Sequence, residues 1–459
     1  LKHGPFGSDP GRGRGWPAIL ALVAAMAAER LRICMVSDMF YPGMGGVEMH
    51  IYQLAQCLLQ RGHKVVVVTH CRGRRHGVRH MPNGLKVYYL PFLPFTDNVT
   101  LPTFFALFPL LRKVLIRERI EVVHGHQSTS NLAHECLFHA RTMGLKTVFT
   151  DHSLFGFGDI ASIHLNKLMT FFLTNVHHTI CVSHAGKENI VLRALLDPAA
   201  VSVVPNAVDA RRFRPEVSRR PAAPTVNVVV ISRLTYRKGI DLLVDVAPAI
   251  CKRHPHVNWI IGGDGPKRIL LEEMVKCNRL YDRVSLLGAV PHEQVRDVLV
   301  QGHIFLNTSL TEAFCIAVVE AAACGLLVVA TDVGGVPEVL PPEMMKLAAP
   351  RSDAIVAALT GALGDLPAPA AASAAAAAFH EEVSQMYSWH DVARRTERVY
   401  ARVAMSATEP LHERLLRFLR VGPVSGKICV LLAAFDALLW RMLEWLQPHA
   451  SLEVACELP

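Results

Sequence analysis

Two carboxylates, Glu312 and Glu320, flank the start of a short helix that the sequence predicts over residues 317–324 and that Gly325 ends. Carboxylates in such a position can accept hydrogen bonds from hydroxyl groups. The backbone N–H groups in the first turn of the helix can hold an anion beside them. A sugar joined to a diphosphate offers both kinds of group. The alternative interpretation is a capped helix whose acidic side chains interact favourably with the helix dipole.

Basic side chains and glycine-rich turns occur where a diphosphate could bind. Arg233 follows a predicted strand over residues 226–231, and Lys238 precedes the helix that comes next. Both cations would therefore project where a strand ends and a helix begins. Gly45 and Gly46 lie in a turn between a strand and a helix, and glycine allows the backbone to approach a phosphate closely. A solvated charge pair and an ordinary tight turn are the alternative interpretations.

A histidine provides a candidate for the reaction centre. Asp151 and His152 follow a predicted strand over residues 147–150. Because α/β sheets place their sites at the carboxyl ends of parallel strands, this position favours a functional role for His152. The alternative is a structural histidine.

Two sheets must position these side chains. Short apolar runs alternate with amphipathic helices in both halves of the chain, which is typical of βαβ units with parallel strands. The predicted fold class is α/β, with two Rossmann-like, doubly wound domains facing each other across a cleft. No G-x-G-x-x-G motif is present, so a dinucleotide site is disfavoured. The predicted divisions are a disordered or non-native extension (1–31, with Met26 as the expected start), a first domain (32–210), a linker (211–224), a second domain (225–350), an Ala- and Pro-rich, helical or loose connector (351–378), a return helix (379–405) and a tail (411–459).

Charge and cysteine content narrow the classes of partner. The formal net charge of +9 suits an anionic partner such as a nucleotide phosphate or an anionic lipid. No RNA-binding or zinc-finger signature appears, so nucleic acid is not expected. The 11 cysteines include no C-x-x-C pair, which predicts mostly buried free thiols in a reducing compartment. No convincing Asp/His cluster is visible, so we expect no metal ion.

Three stretches are candidates for contact with lipid. Residues 428–440 form an apolar run inside a membrane helix predicted at about 424–447. This run is shorter than the roughly 20 residues that a spanning helix needs, and Asp436 interrupts it. We expect a single C-terminal anchor, and an interfacial helix is the alternative. The basic segment 70–80 is either a solvated loop or a membrane contact, and the Phe-rich segment 101–115 around Phe104 is either a core helix or a lipid-facing helix.

An ordered set of motifs over residues 32–405 resembles the GT-B retaining glycosyltransferases of family 4. The set comprises Gly45-Gly46-Val47-Glu48, Val204-Pro205-Asn206-Ala207-Val208-Asp209, Ser232-Arg233-Leu234, Arg237-Lys238-Gly239, Gly262-Gly263-Asp264-Gly265-Pro266 and Glu312-x7-Glu320. More narrowly, residues 150–157, residues 306–315 and the C-terminal apolar segment resemble the family of phosphatidylinositol N-acetylglucosaminyltransferase catalytic subunits.

The resemblance implies an enzyme that transfers N-acetylglucosamine from UDP-GlcNAc to phosphatidylinositol with retention of the anomeric configuration. That reaction is the first step of GPI-anchor biosynthesis. The resemblance also implies an acceptor-binding first domain, a donor-binding second domain and a location in the endoplasmic reticulum membrane, with the catalytic domains on the cytoplasmic face. The implied partners are the other subunits of the GPI GlcNAc-transferase complex and the membrane.

The resemblance further implies roles for individual residues. Glu320 would hold the ribose hydroxyls, Glu312 the donor sugar, and His152 would lie near the sugar and the reaction centre. Arg233 and Lys238 can neutralise the leaving diphosphate without a metal. The predicted catalytic residues are His152, Glu312, Arg233 and Lys238, and the predicted donor-binding residues are Gly45, Gly46, Glu48, Asp264, Phe314, Cys315, Ile316 and Glu320.

Other functions fit the same motifs. A GT-B sugar-nucleotide epimerase would release UDP without a lipid acceptor, and a different lipid glycosyltransferase would use another acceptor. A non-catalytic scaffold subunit of the same complex would not need the basic pair or both glutamates.

Overall fold

The computed structural model describes residues 30–43, 45–96, 98–103, 105–156 and 160–455. The expected start at Met26 and the side chain of Phe104 lie outside these residues. The described chain contains two mainly parallel sheets, each with helices on both faces, which is the predicted α/β class.

The first domain is built on an eight-stranded sheet with the order β10-β9-β8-β7-β1-β2-β4-β3. Its strands are β1 (Arg32–Val36), β2 (Lys64–His70), β3 (Gly77–His80), β4 (Lys86–Leu90), β7 (Val122–His126), β8 (Lys146–Asp151), β9 (His178–Cys181) and β10 (Val201–Val203), with a separate hairpin of β5 (Pro94–Thr96) and β6 (Val99–Thr100). Its helices are α1 (Gly46–Gln60), α2 (Leu107–Arg117), α3 (Asn131–Thr142), α4 (Ile160–Leu173) and α5 (His184–Ala194). The strand order reverses between β1 and β7, so the binding crevice of this domain is expected there.

The second domain is built on a six-stranded parallel sheet with the order β13-β12-β11-β14-β15-β16. Its strands are β11 (Val226–Ile231), β12 (Val257–Gly262), β13 (Val284–Gly288), β14 (Ile304–Asn307), β15 (Leu327–Thr331) and β16 (Met345–Ala348). Its helices are α6 (Ile240–Arg253), α7 (Arg268–Cys277), α8 (His292–Leu299), α9 (Ile316–Ala323) and α10 (Ser352–Gly364). Short 3-10 turns lie at Pro198–Ala200, Val217–Arg219, Tyr236–Lys238, Val336–Glu338, Leu419–Val421 and His449–Ser451.

Continuous apolar runs explain why the central strands are buried. In β1, Ile33 through Val36 are inaccessible to solvent, because helices cover both faces of a parallel sheet. The basic segment 70–80 is only partly a loop, since β3 pairs antiparallel with β4 at the sheet edge and all its residues are exposed. In the segment 101–115, Leu107, Phe108 and Leu111 are buried, as the core interpretation requires.

The Ala- and Pro-rich stretch 351–378 contains regular structure. Helix α10 buries Ile355, Val356 and Leu359 in the core of the second domain. Helix α11 (Ala372–Met386) follows. Alanine has the highest helix propensity, which explains why this Ala-rich stretch is helical although it contains no distinctive motif.

The return helix is α12 (Trp389–Ala404), which docks on the first domain. The buried carboxylate of Glu397 accepts hydrogen bonds from the Nε of Arg61 at 2.5 Å and pairs with the Nε2 of His63 at 2.9 Å. The hydroxyl of Tyr400 lies 2.7 Å from the Nδ1 of His124 in β7. The helix therefore connects the end of the second domain back to the first domain through polar contacts, of which those to His63 and His124 are buried.

The tail forms α13 (Leu411–Phe418) and α14 (Ser425–Leu446). Among the described residues, no helix combines the length and the hydropathy that a transmembrane span requires. The spanning segment predicted at about 424–447 is therefore not supported. Asp436, which interrupts the apolar run in the sequence, faces inwards and bonds the Nδ1 of His139 at 2.7 Å, with both side chains fully buried.

Replacing Glu397 tests the docking of α12. In Glu397→Ala the buried imidazole of His63 loses its hydrogen-bond partner, so the free energy of unfolding should fall by about 1–3 kcal/mol, the usual cost of leaving a buried polar group unsatisfied. Denaturant unfolding followed by circular dichroism measures the change. Glu382→Ala on the exposed side of α11 is the matched control, with an expected effect within about 0.5 kcal/mol. A loss as small as the control's would show that α12 docks without this contact.

Candidate active site

The carboxyl ends of the two sheets face each other across a closed cleft. Glu338 of the second domain accepts hydrogen bonds from the backbone N–H groups of His184 and Ala185 at 2.6 and 2.8 Å, at the N-terminus of α5 in the first domain. The guanidinium of Arg237 donates to the backbone oxygen of Leu154 at 2.9 Å from the other side. Since a carboxylate at a helix N-terminus is favourable, these contacts stabilise the closed arrangement.

An ion pair lies on the second-domain wall of this cleft. The ammonium of Lys238 contacts the Oε1 of Glu312, which also accepts a hydrogen bond from the Ser309 hydroxyl at 2.9 Å. Burial lowers the pKa of Lys238, but the Glu312 carboxylate outweighs that effect and raises the pKa above its usual value. Lys238 is therefore a permanent cation, held beside a carboxylate that can accept from a sugar hydroxyl.

The turn that carries Lys238 depends on a glycine. Gly239 has φ +66°, and a Cβ built there would lie 1.8 Å from the backbone oxygen of Thr308. The Thr308 hydroxyl in turn donates to the backbone oxygen of Lys238 at 2.9 Å. The segment 236–239 is thus pressed against the loop after β14, which explains how residues far apart in the chain form one ion pair.

Glu320 lies inside α9, almost entirely buried. Its Oε1 is 3.4 Å from the Nε2 of His292, and the Arg212 guanidinium donates to the backbone oxygen of His292 at 2.6 Å. Arg212 belongs to the predicted linker, so the linker helps to position the partner of Glu320. The two glutamates differ in environment, because Glu312 bonds a lysine and a serine while the described partner of Glu320 is a more distant imidazole.

The N-terminus of α9 meets the glycine-rich turn of the first domain. A Cβ built on Gly46 would lie 3.5 Å from the Cδ1 of Ile316, the first residue of α9. Cys315 precedes it with φ +68°, in the left-handed region, and Phe314 is buried against the ring of Tyr387. The N-terminus of α9 therefore lies beside Gly46, and an anion would be favoured at such a helix end.

Glu48 and Arg233 approach each other from opposite domains. Burial raises the pKa of the Glu48 carboxyl, and the nearby Arg233 and Arg72 guanidinium groups partly oppose that effect. Arg233 itself is exposed to the cleft. A Cβ built on Gly45 would lie 2.5 Å from the Glu48 carboxylate, so the turn has room for that side chain only because glycine stands there.

Asp264 and Asp151, which were both noted in the sequence, form hydrogen bonds with residues of the surrounding loops. Asp264 is exposed, its carboxylate accepts from the N–H of Gly265 at 2.7 Å, and its backbone oxygen accepts from Leu234 at 2.9 Å. Asp151 is buried, and its Oδ1 accepts from the Ser128 hydroxyl at 2.6 Å and from the N–H of Ser153 at 3.0 Å. Asp151 therefore holds the loop that carries His152, and Asp264 shapes the turn next to Arg233.

His152 belongs to a cluster of histidines that sequence reasoning did not assemble. Its Nε2 lies 3.3 Å from the Nδ1 of His126, and its ring packs edge-on against His50 with centroids 4.6 Å apart. The Nδ1 of His50 is 2.8 Å from the Oδ1 of Asn206. The sequence did indicate these residues separately, since His126 ends β7 and Asn206 belongs to the motif over residues 204–209. Only the order of strands in the sheet brings them together.

The histidines of this cluster are neutral at physiological pH. Burial lowers the pKa of His50 to about 4, and burial lowers the pKa values of His126 and His152 well below the ordinary value. The uncharged His152 can therefore both donate and accept a hydrogen bond, which suits contact with a sugar hydroxyl.

His50, His126 and His152 could also hold a metal ion, since one ligand nitrogen from each lies within 4.8 Å of the others. Neutral imidazoles suit zinc, but Zn–N bonds of about 2.0–2.1 Å place the nitrogens of a tetrahedral site roughly 3.4 Å apart. The nitrogens of His126 and His152 already satisfy each other as a hydrogen-bonded pair. The 3.3 Å between the nitrogens of His126 and His152 is close to that spacing, while the cluster as a whole extends to 4.8 Å, so the imidazoles would have to move closer to complete a zinc site.

Two family models match the chain. Residues 70–159 match the model described as PIGA (GPI anchor biosynthesis), and residues 225–365 match the model described as glycosyl transferases group 1. The matched ranges contain His152 in the first domain and the two glutamates with the basic pair in the second.

Solved structures share the architecture. Sucrose-phosphate synthase from Thermosynechococcus elongatus superposes with a TM-score of 0.68 at 21% identity, covering 82% of this chain and 99% of that one. Anabaena HepE in complex with UDP superposes with a TM-score of 0.63 at 18% identity, covering 81% and 100%. At these identities the similarity concerns the fold alone, and it confirms the predicted GT-B arrangement.

Curated relatives are far more similar in sequence. A phosphatidylinositol N-acetylglucosaminyltransferase subunit of Arabidopsis thaliana is 55% identical over 93% of this chain and 94% of its own length. The human protein of the same name is 53% identical over 93% of this chain and 87% of its own length. The gpi3 subunit of the same enzyme from Schizosaccharomyces pombe is 51% identical, covering 92% of each chain. The chain therefore belongs to the PIGA family of phosphatidylinositol N-acetylglucosaminyltransferase subunits.

Proposed function

We propose that this chain is the glycosyltransferase that moves N-acetylglucosamine from UDP-GlcNAc to phosphatidylinositol and forms GlcNAc-phosphatidylinositol, the first step of GPI-anchor biosynthesis. The observation that carries the proposal is the Lys238–Glu312 pair beside the N-terminus of α9, opposite the Gly45-Gly46 turn. A cation, a helix N-terminus and a hydroxyl-binding carboxylate at one point are what a sugar diphosphate requires. Membership of the PIGA family supports the identity of both substrates.

The donor binds along the second-domain wall. Glu320 accepts hydrogen bonds from the ribose hydroxyls, and Glu312 accepts from a hydroxyl of the sugar. Arg233 and Lys238 lie at the diphosphate, together with the first-turn amides of α9. His152 contacts the sugar from the first domain, and its hydrogen bond to His126 holds the imidazole in orientation.

Transfer proceeds at the front face of the sugar with retention. The bond from the anomeric carbon to the UDP oxygen breaks as an inositol hydroxyl oxygen bonds the same carbon from the same side. The leaving phosphate oxygen accepts the hydroxyl proton, so atoms and charge balance without a covalent enzyme intermediate. Negative charge grows on the leaving diphosphate in the transition state, and Arg233 and Lys238 stabilise it there.

The reaction requires no metal ion in this proposal. A divalent cation would serve to neutralise the leaving diphosphate, and that task falls to Arg233, Lys238 and the α9 amides.

The enzyme works at the endoplasmic reticulum membrane with its catalytic domains on the cytoplasmic side. Its acceptor is a lipid, so the cleft must be close to a bilayer. The relatives are named as subunits, which supports assembly into a multisubunit GlcNAc-transferase complex. The reduced cysteines support a cytoplasmic setting, since the ten described cysteines are all free and seven of them are buried.

Incubating the purified complex with labelled UDP-GlcNAc and phosphatidylinositol vesicles tests the function. We expect labelled lipid at an equal rate with and without EDTA, because the protein itself supplies the positive charge at the diphosphate. Free labelled sugar or an epimerised nucleotide without labelled lipid would contradict the transferase, and loss of the rate on chelation would contradict only the metal-free mechanism.

Arg233 provides the cleanest test of charge stabilisation. In the described part of the chain no carboxylate forms an ion pair with Arg233, so its removal leaves none unpaired. Removal of Lys238 would instead leave Glu312 without its ion-pair partner. Arg233→Ala should lower kcat on the order of 10²–10³-fold, the usual loss for a group that stabilises developing charge. Arg268→Ala, which removes an exposed arginine paired with Glu272 on α7, is the matched control and should retain the parent rate. Near-normal turnover in Arg233→Ala would refute its role.

Separate substitutions distinguish the two glutamates. Glu320→Gln should raise the KM for UDP-GlcNAc and the Kd for UDP while kcat changes little, because the ribose does not react. Glu312→Gln should lower kcat more than it changes UDP affinity, because UDP lacks the sugar that Glu312 contacts. Steady-state kinetics and UDP titration calorimetry measure both effects. Equal loss of UDP affinity in both variants would contradict the division.

A further inference from the structure

Three histidines of the first domain meet at the cleft although they come from three different elements. His50 lies in α1, His126 ends β7 and His152 follows β8. One ring nitrogen from each lies within 4.8 Å of the others. Imidazole nitrogens suit zinc, copper and nickel, whereas magnesium and calcium prefer oxygen ligands. The cluster therefore has the chemistry of a transition-metal site.

Two of these nitrogens already stand at the spacing of zinc ligands. The Nδ1 of His126 lies 3.3 Å from the Nε2 of His152, and two ligands of tetrahedral zinc are roughly 3.4 Å apart. The buried Nε2 of His126 has no hydrogen-bond partner among the described residues. The ring proton can therefore occupy that Nε2 without displacing another hydrogen bond, which leaves the Nδ1 lone pair directed towards His152.

His50 is oriented in the way that metal-bound histidines are. Its Nδ1 lies 2.8 Å from the Oδ1 of Asn206, and an amide oxygen only accepts, so the ring proton is on Nδ1. The Nε2 of His50 therefore keeps its lone pair. A histidine ligand usually donates its second ring N–H to an oxygen in this way, which fixes both the tautomer and the orientation of the ring.

The imidazoles are ready to bind a metal ion at neutral pH. Because burial lowers the pKa values of all three, they are uncharged there, and an ion does not compete with protons for their nitrogens. His152 is half-buried while the other two are buried, so an ion would enter from the cleft.

A fourth histidine beside the cluster is already occupied by protein partners. The Nδ1 of His124 bonds the Tyr400 hydroxyl and its Nε2 bonds the Thr150 hydroxyl, both at 2.7 Å. The described residues therefore offer three ligands here. Three protein ligands with an open fourth position are typical of an accessible zinc ion, whereas structural zinc usually has four.

The remaining gap in the cluster makes binding reversible. The widest separation must close from 4.8 Å to roughly 3.4 Å, a change of about 1.4 Å, which requires the imidazoles to rotate. Rearrangement on binding lowers affinity relative to a preformed site. Zinc would therefore enter and leave, and would not remain as a resident cofactor.

We propose that His50, His126 and His152 form a reversible zinc site at the sugar end of the cleft, and that zinc bound there blocks transfer. The ion occupies the Nε2 of His152, which can then no longer bond the donor sugar. The UDP part of the donor is untouched, because its contacts lie on the second-domain wall. The inhibitory effect rests on the proposed function, whereas the binding of zinc does not.

Zinc titration of the purified complex tests the site without any turnover. After metal is removed with a chelator, calorimetry with zinc chloride should show one ion bound per chain at this site. Cobalt chloride should give the visible absorption of four-coordinate cobalt. Asn206→Ala, which leaves the three imidazoles in place but removes the oxygen that orients His50, should weaken zinc binding by about 10–100-fold.

His50→Gln removes a ligand and should weaken zinc binding at least as much as Asn206→Ala does. The glutamine amide can still donate to Asn206, so thermal unfolding in zinc-free buffer should match that of the parent complex. His256→Gln is the matched control, because it removes an exposed histidine that lies beside His254 in the second domain. That variant should bind zinc like the parent.

Competition with substrate tests the position of the ion. Without phosphatidylinositol, saturating UDP-GlcNAc should weaken zinc binding, because its sugar occupies His152, whereas UDP should not. In the transfer assay, zinc should inhibit the parent complex, and a zinc concentration that does so should leave the residual rate of His50→Gln unchanged.

The outcomes separate this inference from the proposed function. Equal zinc affinity in the parent, Asn206→Ala and His50→Gln would overturn the site, and activation by zinc would overturn the inhibitory role. Labelled lipid formed at an unchanged rate in saturating zinc would contradict this inference alone. Zinc bound as expected by a complex that makes no labelled lipid would contradict the transferase and support the metal site.

Discussion

The ion pair between Lys238 and Glu312 is the interaction on which the candidate site depends. It links the turn after β11 to the loop before α9, and both segments lie at the carboxyl edge of the second sheet. The carboxylate keeps the lysine charged by raising its pKa against the effect of burial. In the proposed mechanism, a cation that is already oriented needs little reorganisation when a diphosphate arrives, and this would be the source of its catalytic value.

In the closed cleft, the first domain lies opposite this ion pair. Glu338 bonds the N-terminus of α5, and Ile316 packs against Gly46, so the two domains meet on both sides of the site. The first domain contributes His152, which is held by His126 and by Asp151 in its own loop. In the proposed mechanism, the second domain stabilises charge and the first positions the sugar, so both would act together only when the domains are closed.

The C-terminal helix shows how one buried charge changes the interpretation of an apolar segment. In the sequence Asp436 only weakens a membrane anchor. In the structure it bonds His139 inside the protein, while the leucines on the other side of the helix remain exposed. A single charged residue therefore divides the helix into a face that belongs to the domain and a face that needs another partner.

The sequence by itself determined the α/β class, the two doubly wound domains, the positions of most strands, and the family. Local patterns suffice for these features, because apolar runs and glycine-rich turns act through neighbours in the chain. Its assignment of roles to Glu312, Glu320, Arg233 and Lys238 stays a prediction. Only the tertiary structure decided that Lys238 pairs with Glu312, that His50, His126 and His152 form one cluster, and that Asp436 faces inwards. These contacts join residues from different strands or from the two ends of the chain, so they depend on sheet order and domain docking, which no local pattern encodes.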